Sequence, residues 1–390
     1  MAQIIQTATG DVAAVDVDVV TLDIIENALR NARYEMDEVL FRTALSPGIR
    51  EQHDEFPLIG DPEGKMVAGQ FGLSVPALLG RYEGTIEEGD VLLTSDPYAC
   101  DAAISHANDW LVVMPIYHAG RVVGWASMFG HMSDVGGKTP SSMPTDARTI
   151  FEEGVVIPPF KLYRKGELNE EALKIILNQV RMPEWNRADL NGIVAACRTA
   201  GRRVQELCDR FGTETYLSAL DALLDRNYRA MKTLLTTIFA DGETISFTDY
   251  ICDDGVGYGP YELKLSLTRT GDKVVLDFTG SSPQAQGPVN YYVNENLVRM
   301  FLRHLHDHRG RPADPVERRL LPAHRRGDPG RELLEAEVPG RAQRAQPRRR
   351  AHLRPVRRPA RPEEPEPAER GGLLLLAALH VLGQLHQPGP

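Results

Sequence analysis

Two short segments hold the residues best suited to chemistry: SDPYACDAAISHANDW, from Ser95 to Trp110, and GHMSDVGGKTP, from Gly130 to Pro140. Each contains an H-x-x-D element, His106 with Asp109 and His131 with Asp134. Imidazole nitrogens and carboxylate oxygens bind divalent ions, and a donor set without thiolate points to manganese, iron or zinc. An ion with open coordination positions acts as a Lewis acid or activates water. The competing interpretation is structural, with His106 ending a strand, Asp109 capping a turn and His131 hydrogen-bonded in the interior. Cys100, shortly before His106, is a candidate nucleophile whose structural alternative is a small core residue.

Positioning these side chains falls to a hairpin. Leu111 to Tyr117 and Val122 to Met128 alternate as strands around His118-Ala119-Gly120-Arg121. With the turn at Ala119-Gly120, paired residue numbers sum to about 239. His106 is then expected opposite Met132 to Ser133, and Asp109 opposite Gly130. Directly opposed Cα atoms lie ~4.5 to 5.5 Å apart, so two imidazoles and a carboxylate can close on one ion. His106, Asp109 and His131 are therefore the expected ligands.

Other polar positions carry weaker signals. Gly137-Lys138-Thr139 looks like the end of a phosphate loop, but Met132 stands where that motif needs glycine, and Pro140 does not suit the helix that must follow. Gly136 and Gly137 are better explained by close backbone approach. Asp146 fits a cap or turn, and Glu152 and Glu153 fit structural roles better than an acid/base pair. Cys197 and Cys208 are ~16 Å apart along one helix and cannot share a ligand. His53-Asp54, after Arg50-Glu51, suits either a substrate contact or a salt-bridged turn.

The surrounding pattern predicts an α+β fold, a mixed and largely antiparallel β region split by a helical insert. Val20 to Ala44 repeats apolar residues at helical spacing, and DEFPLIGDPEGKMVAG reads as a hairpin around Asp61-Pro62-Glu63-Gly64. A strand is expected from Asp90 to Thr94, and helices from Asn169 to Val180, Arg187 to Phe211 and Glu214 to Phe239. Strands return at Thr244 to Ile251, Tyr261 to Thr268 and Lys273 to Phe278. The expected domains are an α+β region with the metal ligands (1–160), a helical region (161–240) and a truncated β-rich region (241–303).

The 390 residues carry a net charge of -10, which offers no basic face for nucleic acid. The longest apolar run, Leu373 to Leu379, is far below the ~20 residues of a membrane span. Four scattered cysteines without C-x-x-C fit reduced thiols, so a cytoplasmic protein is expected. The average hides a break near Arg303. From His304 to Pro390 the chain uses ten residue types, carries all its positive charge on arginine and lacks Lys, Ser, Thr and Asn altogether. Disordered tails favour several of those missing residues. The pattern fits GC-rich DNA translated out of frame, and this segment is expected not to form a folded domain.

SDPY, HANDW, GHMSDVGG, SMPTDARTIFEEG (Ser142 to Gly154), IPPFKLYRKGELNE (Ile157 to Glu170) and DFTGSSPQAQGPVN (Asp277 to Asn290) together resemble the hydantoinase B / 5-oxoprolinase family. The resemblance runs from about Val20 to Arg303, and a one-nucleotide shift beyond it gives strings similar to that family's continuation. It implies a subunit beside a hydantoinase A-type partner that uses ATP, with Mg, to phosphorylate a small lactam, hydantoin or ketone. The B-type subunit then completes ring opening or carboxylation. It also implies metal binding by His106, Asp109 and His131, with Asp134 as an outer or extra ligand or a catalytic group. Where many relatives have Gly-Gly-Thr-His, this chain has Ala103-Ile104-Ser105-His106, which leaves substrate choice open. A stand-alone metallohydrolase and a non-catalytic truncated subunit are the other classes.

Overall fold

The computed structural model describes residues 16–69, 74–271 and 273–290. The tail from His304 onward therefore lies outside the described residues. The first element of the described residues is helix α1 (Val19–Thr43), which Asp18 caps by accepting hydrogen bonds from the amides of Val20 and Thr21. Ile25, Leu29, Ala32, Met36 and Leu40 form its buried stripe, while Ile24 falls outside it and is exposed. A single turn, α2 (Pro47–Arg50), leads into β1 (Glu55–Gly60) and β2 (Met66–Gly69). Next come α3 (Ser74–Arg81), β3 (Val91–Thr94), β4 (Asp109–His118) and β5 (Arg121–His131). Then follow β6 (Phe160–Arg164), β7 (Glu167–Leu168), α4 (Glu170–Leu177), α5 (Pro183–Phe211) and α6 (Thr213–Ile238). Three strands complete the described chain: β8 (Thr244–Ile251), β9 (Tyr261–Thr270) and β10 (Lys273–Asp277).

The first seven strands make one sheet in the order β2-β1-β5-β4-β3-β6-β7, and every neighbouring pair is antiparallel. The last three make a second antiparallel sheet, β10-β9-β8. The class is the α+β expected from the sequence. On one face of the large sheet, Trp110, Val112, Ala126 and Met128 bury in a cluster beneath α5, on which α1 packs in turn. Helix α5 packs closely there through small residues, including Gly192, Ala196 and Ala200. The other face carries a second apolar cluster, with Leu58, Leu111, Val113, Trp125 and Phe129 beneath Val75, Leu78, Cys100 and Ile104.

The β4–β5 hairpin turns at Ala119 and Gly120, both at positive φ, as a two-residue primed turn requires. Its register departs from expectation by one residue. Tyr117 pairs Val122 and His118 pairs Arg121, but an irregularity beyond Tyr117 shifts the ladder so that Ile116 pairs Gly124. The one-residue shift persists unchanged to the far end, and Asp109 lies opposite His131 rather than Gly130.

Candidate metal centre

Register alone brings the main residues together. Asp109 opens β4 and His131 closes β5 directly opposite it. On the other side of β5, Glu55 pairs Gly130, so Asp54 is the next residue in line with His131, whose amide donates to the Asp54 carbonyl at 3.1 Å. Side chains alternate along strands, so Asp54, His131 and Asp109 form one row across three strands on the same face. His106 reaches the row from the turn before β4. There Asp109 N–H bonds the His106 carbonyl, and Asn108 and Met132 exchange a backbone bond of 2.8 Å that carries the pairing past the strand ends. The Asn108 side chain adds a 2.9 Å bond to the Met132 carbonyl.

Asp109 Oδ1 lies 3.2 Å from His131 Nδ1 and 3.6 Å from His106 Nδ1. The two rings meet edge to face with centroids 4.9 Å apart, and donor atoms of all three residues lie within 4.8 Å of one another. Ligands bound tetrahedrally at ~2.1 Å stand ~3.4 Å apart, so these separations suit a shared cation. His106 Nδ1 is buried without a hydrogen-bond partner, a condition a ligand would relieve. Asp54 Oδ2 is 3.6 Å from His131 Nδ1 and offers a fourth donor. Burial, then the charge of Asp109, raises the Asp54 carboxyl above its usual range. For His131 burial acts downward, but the Asp109 hydrogen bond and the charges of Asp109 and Asp54 outweigh it and raise the imidazole. The next residue, Glu55, points through the sheet to α1, where burial and Asp37 push its carboxyl well up.

Asp134 has a different place. Its oxygens accept from the amides of Gly136 and Ser141 and from Arg181 Nη1, at 2.8 to 3.1 Å. Arg181 also donates to the carbonyls of Gly136, Gly137 and Thr139. These bonds fold the loop after His131 around one guanidinium and occupy Asp134 as a scaffold, which speaks against its use as a ligand or catalytic acid. Cys100 is fully buried in the second apolar cluster, and burial pushes its thiol up to about 12. That environment suits a core residue and not a nucleophile. Lys138 is engaged by Asp146 and Glu152 at 3.0 and 2.6 Å. Glu152 also closes a capping box with Thr149, and the Lys138 contact holds its carboxyl down at about 2.

Sequence reasoning left Asp54 undecided and passed over Arg181. Extending the pairing from β5 to β1 would have placed Asp54, but nothing local announces that contact. Arg181 sits in the link between α4 and α5 with no motif around it.

Fold and row together define a β-sheet scaffold with a two-histidine, one-carboxylate cluster at the strand ends. Residues 18–311 match the Hydantoinase B/oxoprolinase family, and the chain belongs to it. It is 30% identical over 295 residues to the caprolactamase subunit beta of Pseudomonas jessenii, covering 73% of this chain and 50% of that one. It is 28% identical over 253 residues to the acetophenone carboxylase delta subunit of Aromatoleum aromaticum, covering 61% of this chain and 36% of that one. The crystal structure of the ATP-dependent caprolactamase from Pseudomonas jessenii superposes with a TM-score of 0.65 at 28% identity, over 73% of this chain and 50% of that one. The chain thus spans about half the length of its caprolactamase relative.

Proposed function

We propose that this chain is the B-type subunit of an ATP-dependent amidohydrolase that opens a small lactam or hydantoin ring beside an A-type, ATP-binding partner. The observation that carries this is the convergence of His106, Asp109 and His131 within a chain of this family. A bound manganese, iron or zinc ion would supply Lewis acidity toward a carbonyl or activate water. The residues do the rest. Asp109 sits between the two imidazoles and fixes their orientation, and the buried Asn108 contact holds His106 and His131 to one spacing. Asp54 Oδ2 serves that edge as a further donor or as a proton acceptor. We assign ATP, with its magnesium, to the partner subunit; Gly137-Lys138-Thr139 does not complete a phosphate-loop motif, and Lys138 is engaged by Asp146 and Glu152.

Likeness to an acetophenone carboxylase subunit favours a second reading, ketone carboxylation at the same centre. Purified complex with the A-type partner separates the two. Ring opening of a lactam with matched ATP consumption supports the amidohydrolase, and bicarbonate-dependent carboxylation of acetophenone supports the carboxylase. Opening of a lactam by this chain alone without ATP would contradict both. Inability of the chain to support either reaction with partner and ATP would leave a partner-binding role.

A further inference from the structure

One stripe of α5 supports the surroundings of His131. Asn186, Asp189 and Ile193 follow one another at spacings of three and four residues, which places them on one face of that helix. Asn186 Nδ2 donates to the Asp134 carbonyl at 2.9 Å and so holds the loop that follows His131. Ile193 and Ile49 close over Gly130, where an added Cβ would stand 3.1 Å from the one and 2.8 Å from the other. Between them Asp189 is fully buried and reaches the link between α1 and α2. Its Oδ1 accepts from the Leu45 amide at 2.6 Å, and both its oxygens accept from the Ser46 amide at 3.3 Å.

That link, with the turn α2 it leads into, makes three contacts to the metal cluster. Ser46 Oγ accepts from the amide of Ser133, two residues beyond His131, at 3.2 Å. The Gly48 carbonyl accepts from the Asp54 amide at 2.9 Å. Gly48 also lies against the His131 ring, close enough that an added Cβ would stand 3.6 Å from Cδ2. A carboxylate buried as deeply as Asp189 is costly unless its oxygens are hydrogen-bonded, and the two amides supply those bonds. A neutral asparagine would keep one oxygen for Leu45 but turn an amide N–H group toward the Ser46 N–H, donor against donor. Only the acid draws both amides onto one group, which fixes where Ser46 and Gly48 stand.

We infer that Asp189 is a positioning residue for the metal centre: by drawing the Leu45 and Ser46 amides onto α5, it sets the turn that braces His131, Ser133 and Asp54, and through them how firmly a divalent cation is held. This rests on the metal-centred reading above and adds to it a residue outside the ligand set.

The test titrates the full chain with manganese alone and follows it by electron paramagnetic resonance, in which the free ion gives the affinity and the bound ion reports the ligand geometry. Wild type is compared with Asp189→Asn and with Val204→Ala, a truncation at a fully buried position about four turns farther along α5. Both variants are expected to lower the urea midpoint. Only Asp189→Asn should weaken manganese binding, by about tenfold, the lower end of what groups supporting metal ligands contribute, and it should alter the bound-ion spectrum. Val204→Ala should keep the wild-type affinity and spectrum. Equal affinity and an unchanged spectrum in Asp189→Asn overturn the proposal, as does a matching loss in Val204→Ala, because affinity then follows stability and not position. If Asp189→Asn fails to fold, Ser46→Ala decides on the same two readouts, since it cuts the bond to Ser133 and leaves Asp189 with both amides. Failure of wild type to bind manganese overturns the metal reading itself and so is distinguishable from a failure confined to Asp189.

Discussion

His131 gains from the carboxylates of Asp109 and Asp54 beside it, whereas Asp61 is buried without such help. Its side chain is 1% exposed, with Oδ1 accepting from Lys65 N at 2.7 Å and Oδ2 left without a partner. Burial lifts the carboxyl from 3.8 to about 6. An acid whose folded pKa exceeds its unfolded value favours the fold only while protonated there, so stability declines as pH rises from about 4 to about 6 and is flat above. Asp61→Asn keeps the acceptor for Lys65 and removes the charge. It should stabilise the protein by ~2 kcal/mol at pH 7.5 and leave it nearly unchanged at pH 4, as read by urea unfolding. A variant no more stable than wild type at pH 7.5 would show that Asp61 is already relieved by a partner. The burial of Asp61 was not legible from its place in a good turn sequence. By contrast the proximity of His106, Asp109 and His131 was, because two H-x-x-D elements flanked one hairpin.

Among the elements, the hairpin and the long helices were legible from periodicity, because each carries a sustained apolar pattern. Short pieces were not. Helix α3 (SVPALLGR) holds a proline and a glycine within eight residues, and β6 follows Pro158-Pro159, so local signals argued against both. The one-residue register shift was invisible for a related reason, since it falls between Ile116 and Tyr117, within the continuous strand pattern and at no sequence break. The loop after His131 depends on Arg181. Arg181→Ala should leave the buried Asp134 carboxylate without its cation, lower stability by ~1 to 3 kcal/mol and speed amide exchange from Ser133 to Ser142. Arg181→Lys should recover only part, because an ammonium cannot reproduce the fork that reaches several carbonyls. Unchanged exchange in the alanine variant would remove the clamp from the explanation. Gly137 is fixed by the same loop: at φ +81°, an added Cβ would stand 2.6 Å from the carbonyl oxygens of Glu152 and Glu153. Gly137→Ala should therefore lower the melting temperature, and an unaltered midpoint would contradict that packing.

For the whole molecule, the seven-stranded sheet explains why residues so distant in sequence share one row: β1 lies next to β5, and β5 next to β4. No helix among the described residues is long and apolar enough to cross a membrane. The altered composition beyond Arg303 carries a separate proposal, that His304 to Pro390 is read out of frame. Mass spectrometry of the native protein should then lack peptides from Arg341 to Arg370, and finding them at full stoichiometry would refute it. The central claim is the cation held at the strand ends by His106, Asp109 and His131. Elemental analysis of the purified full chain tests it most directly, alongside His106→Ala and His131→Ala variants shown to be folded by circular dichroism. The expected result is about one manganese, iron or zinc per wild-type chain and loss of that metal from both variants, since one imidazole with the remaining carboxylates holds an ion poorly. Wild type without stoichiometric metal after growth in metal-supplemented medium, or variants that keep wild-type content, would contradict it.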